Sequence, residues 1–206
     1  MMTKVLLDVP RLLDLHDQLL AHRGFDRDMG DGLEPIWRQI AFNHYCNTAL
    51  WEEEDQARRR DVPDSAIAAN KRAIDGHNQK RNDAVERVDE LLLGALTEVS
   101  RAADARLSSE TAGAMVDRLS ILALKVHHMR IQTQRSDASA EHIASCVGRF
   151  EKLVEQRTDL CACLARLLDE CSAGSTFFKV YRQFKMYNDA TMNPYLYRSA
   201  PRSAGA

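Results

Sequence analysis

Residues 33–58 read LEPIWRQIAFNHYCNTALWEEEDQAR, and side chains of similar character recur along them every three or four positions. That spacing predicts an amphipathic helix whose first half, from Leu33 to Ile40, presents an apolar face. From residue 44 onward the same face carries polar groups, namely His44, Asn47, Glu54, Asp55 and Arg58. Polar groups therefore occupy positions that a helical bundle normally gives to its core.

A second long helix is predicted to follow and to lie antiparallel to the first. Asp61-Val-Pro-Asp64 ends the first helix, and the second runs from Ala66 to Ala103. A continuous polar band follows one flank of its apolar line and consists of Lys71, Asp75, Asn78, Asn82, Glu86 and Asp89. We expect this band to face a wet or ligand-filled space, since unpaired polar groups are costly in a dry interior.

Three further helices are predicted around this pair. A short amphipathic helix from Val9 to Leu20 is expected to act as a lid or packing arm, and an almost wholly apolar one from Met115 to Met129 is expected to be central. A long helix from Ile143 to Cys171 carries a heptad-like seam, which favours bundle packing or a homodimer. The sequence thus predicts an all-α, single-domain bundle of five or six helices over residues 1–197, with a disordered tail over 198–206.

Composition limits the class of protein. Of the 206 residues, 45% are hydrophobic and 28% charged, while 9 glycines and 5 prolines are too few for a fold of many short strands. A net charge of −2 removes the global attraction that an extended nucleic-acid binder needs. The 5 cysteines lie mostly within helical patterns and are expected to be buried thiols. Without a secretory signal or a membrane span of roughly 18 apolar residues, a cytoplasmic protein is expected.

Paired carboxylates are the most specific chemical feature of the sequence. Glu52-x-x-Asp55 and Glu86-x-x-Asp89 place acidic groups on one face of each long helix, with Glu54 beside the first pair. Carboxylate oxygens suit Mg²⁺ or Mn²⁺, so the predicted metal ligands are Glu54, Asp55, Glu86 and Asp89. The alternative is that these are solvated charges of a long bundle.

Other polar and aromatic groups suggest a site for a phosphorylated ligand. Cations would hold phosphate oxygens, amides would bind water or a sugar or base edge, and Trp51 would wall the pocket. The predicted substrate-binding residues are Asn47, Trp51, Arg58, Lys71, Asp75, Asn78, Asn82, Lys179 and Arg182. The aromatic and basic segment 179–188 is either a closing flap or an amphipathic helix.

Histidines and one arginine have simpler interpretations. His44 is expected to be a core imidazole hydrogen-bonded to a nearby carbonyl, with a general base or ligand as the alternative. His127 and His128 point about 100° apart, which favours structural roles. Arg157 interrupts the seam of the long helix and indicates a buried ion pair or a register-setting contact.

Several strings occur together in this chain, including NTALWEEEDQAR from Asn47, NQKRND from Asn78, DRLSIL from Asp117 and KVYRQFKMYND from Lys179. In these the sequence resembles the bacterial DUF4254 family over nearly its whole length. The resemblance implies a link to glycosyltransferases and cell-envelope polysaccharide, and hence to nucleotide-sugar or sugar-phosphate chemistry. Such a link is an association and does not by itself indicate a mechanism for this chain.

A more distant similarity is to the all-α nucleoside triphosphate pyrophosphatases. Their Mg²⁺ ligands come from an E-x-x-E motif on one helix and E-x-x-D on the next. The matching positions here are Glu52, Asp55, Glu86 and Asp89, and Asp55 stands where the motif has glutamate.

Two functions remain open from the sequence. The first is metal-assisted binding or hydrolysis of a nucleotide or nucleotide sugar. The second is a non-catalytic helical scaffold or interaction partner of a glycosyltransferase, in which the polar band is a salt-bridge network. Three or more unpaired carboxylates converging in a cleft would favour the first, whereas one-to-one pairing of Glu86 and Asp89 with cations would favour the second.

Overall fold

The computed structural model describes residues 6–21, 32–182, 186 and 189–197. The described chain is all-α, as predicted, apart from one pair of two-residue strands. Its elements are α1 Val9–Ala21, α2 Pro35–Gln56, α3 Asp64–Ala95, β1 Arg106–Leu107, α4 Ala112–Thr133, α5 Ala140–Ser172, β2 Thr176–Phe177 and α6 Pro194–Tyr197. The predicted tail over 198–206 lies outside the described residues.

Helices α2 and α3 form an antiparallel pair, as the short connection between them predicts. Asn70 of α3 donates a hydrogen bond to Glu53 of α2 at 2.7 Å. Closer to the middle of both helices, the rings of Tyr45 and His77 lie 6.2 Å apart. In this register the end of α2 faces the beginning of α3.

Helix α4 is central, because it packs against α1, α2, α3 and α5. Its fully buried side chains include Leu119 and Leu124. Thr111 caps its first turn by accepting a hydrogen bond from the backbone N–H of Ala114 at 3.1 Å. The predicted start at Met115 was thus one turn late.

The segment after α3 differs from the prediction of a helix to Ala103. Helix α3 ends at Ala95, and the chain then runs to β1, which pairs in parallel with β2. Gly174, whose φ is 74°, turns the chain after α5 and brings its carbonyl within 3.0 Å of the N–H of Ala102. Hydrogen bonds to this distant segment replace those that a longer α3 would have made.

Helix α1 packs on the bundle through Val9, Leu12, His16 and Leu19. Arg157 of α5, for which the sequence indicates a buried ion pair or a register-setting contact, pairs with Asp17 of α1 at 2.9 Å and also donates to the Leu13 carbonyl at 3.2 Å. Its side chain is 14% exposed, which makes it a partly buried link between α1 and α5.

The five thiols are all free, but they are not uniformly buried. Cys46, Cys146 and Cys171 are buried, whereas Cys161 is half-buried and Cys163 is exposed. Cys163 lies on the outer side of α5, which accounts for this departure from the expectation. None of the described helices combines the length and hydropathy that a membrane crossing requires.

Candidate functional site

A groove of about 770 Å³ lies where the C-terminal part of α2 meets the facing ends of α4 and α5. We call it the α2–α4–α5 groove. Its lining residues are Trp51, Asp55, Lys125, His128, Met129, Gln132, Ser145, Gly148, Arg149, Lys152, Leu153 and Gln156. Trp51 and Asp55, one turn apart on α2, both line this groove.

A flat aromatic pair forms part of the groove wall. The rings of Trp51 and His128 are stacked with centroids 4.4 Å apart and planes only 3° from parallel. His127 meets His128 edge-on at 5.3 Å. Burial lowers the pKa of His128 below 6.5, and the neighbouring His127 lowers it further. His128 is therefore neutral at pH 7 and presents a planar, uncharged ring.

Three cations line the same groove as the aromatic pair. Lys125 of α4 and Arg149 of α5 are exposed, and neither makes an ion pair within the described part of the chain. Lys152 pairs with Glu155 at 2.5 Å, one turn along α5. Asp55 is the one carboxylate among the lining residues. Positive side chains therefore outnumber negative ones in the groove, although the whole chain has a net charge of −2.

The predicted four-carboxylate metal site is wrong as a cluster. Across the described ranges, no group of three or more His, Cys, Asp or Glu side chains is placed to hold a metal ion. The Asn70–Glu53 contact puts Asp55 level with about residue 68 of α3. Glu86 lies about 18 residues farther along α3, roughly 27 Å at the helical rise per residue. Glu54 instead pairs with Arg58 at 2.8 Å. Antiparallel pairing separates the two acidic motifs, including Glu52, which is exposed.

Glu86 and Asp89 line a second, smaller cavity of about 270 Å³ between α3 and the start of α4. Asn82 and Lys179 also line it, which brings together four of the predicted site residues. Asp89 is buried and accepts a hydrogen bond from the backbone N–H of Gly113 at 2.6 Å. It therefore anchors α4 to α3. Asp89 is neither one of several unpaired carboxylates in a cleft, which would favour a ligand site, nor paired with a cation, which would favour a scaffold.

The remaining predicted ligand residues are dispersed. Lys71 pairs with Asp75 on the exposed face of α3, and Arg182 pairs with Glu90 at 3.2 Å. Asn78 is half-buried on α3. These side chains do not join the groove. Residues 179–182 are not helical, and most of the predicted flap beyond them lies outside the described residues.

An internal polar network joins α2 to α4 at the point where the apolar face of α2 becomes polar. Asn43 and Asn47 donate to the same oxygen of Asp117, at 2.8 and 2.9 Å. Asn47 also donates to the Ser120 hydroxyl at 3.0 Å, and that hydroxyl is 2.8 Å from Nδ1 of His44. His44 is a core imidazole, as expected, but its hydrogen-bond partner is the Ser120 hydroxyl rather than a carbonyl. Asn47 is a buried structural residue rather than an open ligand contact.

Arg81 approaches this network from α3. Its Nε lies 3.7 Å from Asp117 and has no hydrogen-bond partner in the described part of the chain. Asp117 thus accepts hydrogen bonds from two amides and lies beside one guanidinium. These contacts offset the cost of placing a carboxylate between three helices.

A family model described as "Protein of unknown function (DUF4254)" matches residues 37–180, more than half of the chain. The chain belongs to the DUF4254 family. Comparison with curated proteins and with solved structures found no match. The DUF4254 match spans the groove and the internal network, while α1 precedes it.

Sequence reasoning missed part of each site of this DUF4254 protein. Lys125 and His128 interrupt an otherwise apolar helix, and this was the available signal for the groove. Arg149 and Lys152 are ordinary surface cations of α5, so only the packing of α5 on α4 reveals their role. Asp117 and Ser120 are three residues apart on α4, a spacing that indicates one face of the helix.

Proposed function

We propose that this protein binds a phosphorylated small molecule with a planar or sugar ring, of the nucleotide or nucleotide-sugar class, in the α2–α4–α5 groove. The observation that carries the proposal is the stacked Trp51–His128 pair with Lys125 and Arg149 beside it. A volume of about 770 Å³ also suits a ligand of this size.

Each part of such a ligand has a matching surface. The aromatic pair offers a flat face for a base or sugar ring, and such contacts add about 0.5–1.5 kcal/mol beyond area burial. Lys125 and Arg149 can donate charge-assisted hydrogen bonds to phosphate without first breaking an ion pair. Gln132 and Gln156 supply donors and acceptors for hydroxyl or base-edge groups.

A divalent ion would bind in the groove only together with the phosphorylated ligand. Asp55 is the single lining carboxylate, so Mg²⁺ or Mn²⁺ would take most of its oxygen ligands from phosphates and water. The ion would reduce the phosphate charge and hold it close to Asp55. Affinity that depends on Mg²⁺ and falls in Asp55→Asn would support this arrangement.

The test is calorimetric titration with UDP, UDP-glucose, glucose 1-phosphate and inorganic phosphate, each with and without Mg²⁺. We expect UDP or UDP-glucose to bind, and Arg149→Gln to weaken binding by about 10-fold or more, since a hydrogen bond to a charged group contributes about 1.5–3 kcal/mol. Arg166→Gln is the matched control, because Arg166 is an exposed arginine of the same helix outside the groove.

Thermal melting of the same variants gives an independent reading. A ligand at 100 times its dissociation constant should stabilise the fold by about 2.7 kcal/mol. Binding that Arg149→Gln and Trp51→Ala leave unchanged would place the ligand elsewhere. No binding by any of the four compounds at millimolar concentration would overturn the proposal and favour the scaffold alternative.

A further inference from the structure

His16 lies at the centre of the inner face of α1 and is fully buried. Its ring stacks on that of His44, with centroids 4.7 Å apart and planes 18° from parallel. Neither ring nitrogen of His16 has a hydrogen-bond partner among the described residues, and the same holds for Nε2 of His44. Two imidazoles thus meet in an interior where the described residues leave three of their four ring nitrogens without a hydrogen-bond partner.

Burial and the charge of Arg157 disfavour a proton on either ring, whereas Asp17 favours one on His44 to a smaller extent. Helix α5 contributes Arg157, which is already paired with Asp17 of α1. Helix α2 contributes His44 itself, and α4 contributes the uncharged Ser120 that bonds it. Asp117 of α4 is engaged by the amides of Asn43 and Asn47. A protonated His16 would therefore face a second imidazole and a guanidinium without a carboxylate of its own.

We infer that α1 is an acid-releasable lid, in which protonation of His16 drives α1 away from α2, α4 and α5 and opens the His44–Ser120 pair to solvent. The apolar contacts of α1 set how tightly it docks at neutral pH. The imidazole pair sets how that docking changes with pH. This inference concerns α1 alone and is independent of the ligand proposed for the groove.

The direction of the pH effect follows from the pKa of each ring. Burial lowers the pKa of His16 well below 6.5, and His44 and Arg157 lower it further. Burial also lowers the pKa of His44 to about 4. A released α1 would take up a proton below pH 6.5, whereas the docked form would not. Docking is therefore unaffected above pH 7 and should weaken about 30-fold by pH 5 for one histidine.

The chain has a built-in reporter of α1. Trp37 of α2 is buried, and the guanidinium of Arg11 from α1 lies 4.2 Å from the centre of its ring. Since the chain has 2 tryptophans, Trp51→Phe leaves Trp37 as the only one. Release of α1 should shift its emission to longer wavelength while the far-UV helical signal of the other helices persists.

The decisive experiment is hydrogen exchange from pH 7.5 to 5, corrected for intrinsic rates, with α1 and α4 amides compared. We expect protection of α1 to fall by about 30-fold or more in the natural protein while α4 stays protected. His16→Phe keeps the ring stack but leaves only His44 to take up a proton on release, so its α1 protection should fall much less between pH 7.5 and 5 than in the natural protein. His142→Gln, at an exposed histidine of α5, should behave like the natural protein.

Three outcomes would overturn the lid. These are an α1 that keeps its protection at pH 5, an α1 and α4 that lose protection together, and a His16→Phe variant as acid-sensitive as the natural protein. If His16→Phe does not fold, His16→Leu supplies a smaller apolar side chain for the same comparison. The first two outcomes are measured on the natural protein, so the test does not depend on whether a variant folds.

Discussion

The carboxylate of Asp89 and the backbone of Gly113 fix the contact between α3 and α4. The hydrogen bond from the Gly113 N–H is 2.6 Å, and a Cβ on residue 113 would lie 2.6 Å from the Val85 carbonyl oxygen and 2.8 Å from Cγ of Asp89. Only glycine allows so close an approach of the two helices. The start of α4 therefore depends on one residue with no side chain.

Gly113→Ala should destabilise the fold by about 1–3 kcal/mol, because the new methyl group must push against backbone rather than a flexible side chain. Urea unfolding measures this as a lower midpoint. Gly94→Ala is the control, since a Cβ there meets no atom within 4 Å. It should instead stabilise α3 by about 0.5–1 kcal/mol. Equal effects of the two substitutions would contradict the close contact.

Asp89 should make stability depend on pH in the opposite sense from the histidines. Burial raises its pKa to about 6, so the folded protein holds a proton that the unfolded chain releases near pH 3.8. Stability contributed by this group therefore falls as pH rises from about 4 to 6 and is constant above. Asp89→Asn should remove that fall, which urea unfolding at pH 4.5 and 7 would reveal as a difference from the natural protein.

Ser120→Ala should cost about 1–3 kcal/mol, because it leaves Nδ1 of His44 without its buried partner. Asn47 would keep its hydrogen bonds to Asp117 and Asn43 but lose the one to the Ser120 hydroxyl. Thermal or urea unfolding tests this. Ser65→Ala, at an exposed serine in the first turn of α3, should change stability by no more than about 0.5 kcal/mol. A Ser120→Ala protein as stable as the control would show that the network is not held by this hydroxyl.

Phosphate binding in the α2–α4–α5 groove should strengthen in acid. The pKa of His128 is lowered by burial and by His127, so its ring gains a proton only below pH 6.5. Protonation of His128 adds a positive charge to the groove that Lys125 and Arg149 line, and binding of UDP-glucose, whose diphosphate keeps its charge over this range, should tighten as the pH falls from 7 to 5. His128→Gln should bind with no such dependence. Calorimetry at both pH values distinguishes the two.

Local patterns in the sequence predicted most of the helices. The three- and four-residue spacing from Leu33 onward predicts α2, and the loss of apolar character at His44 correctly indicates a polar interior. The same stripe places Trp51 and Asp55 on the face that lines the groove. Both inferences depend only on one helix, for which periodicity is sufficient.

Features that depend on the packing of two helices were harder to predict from the sequence. The acidic motifs at Asp55 and Glu86 were expected to meet, although an antiparallel pair that turns near residue 60 places Asp55 opposite the first turns of α3. The groove cations come from α4 and α5, and their convergence depends on packing that no spacing within one helix reveals. The early end of α3 likewise depends on a segment beyond α5.

The pairing of Arg106 with Thr176 and of Leu107 with Phe177 has a consequence for the order of assembly. α2 with α3, and α4 with α5, are hairpins of neighbours in sequence and can form early with little loop-closure entropy. The short ladder joins the exits of both hairpins, so its partners come together only after the hairpins have met. The β1–β2 pairing should therefore form last, and its amides should be slow to gain protection from hydrogen exchange during refolding.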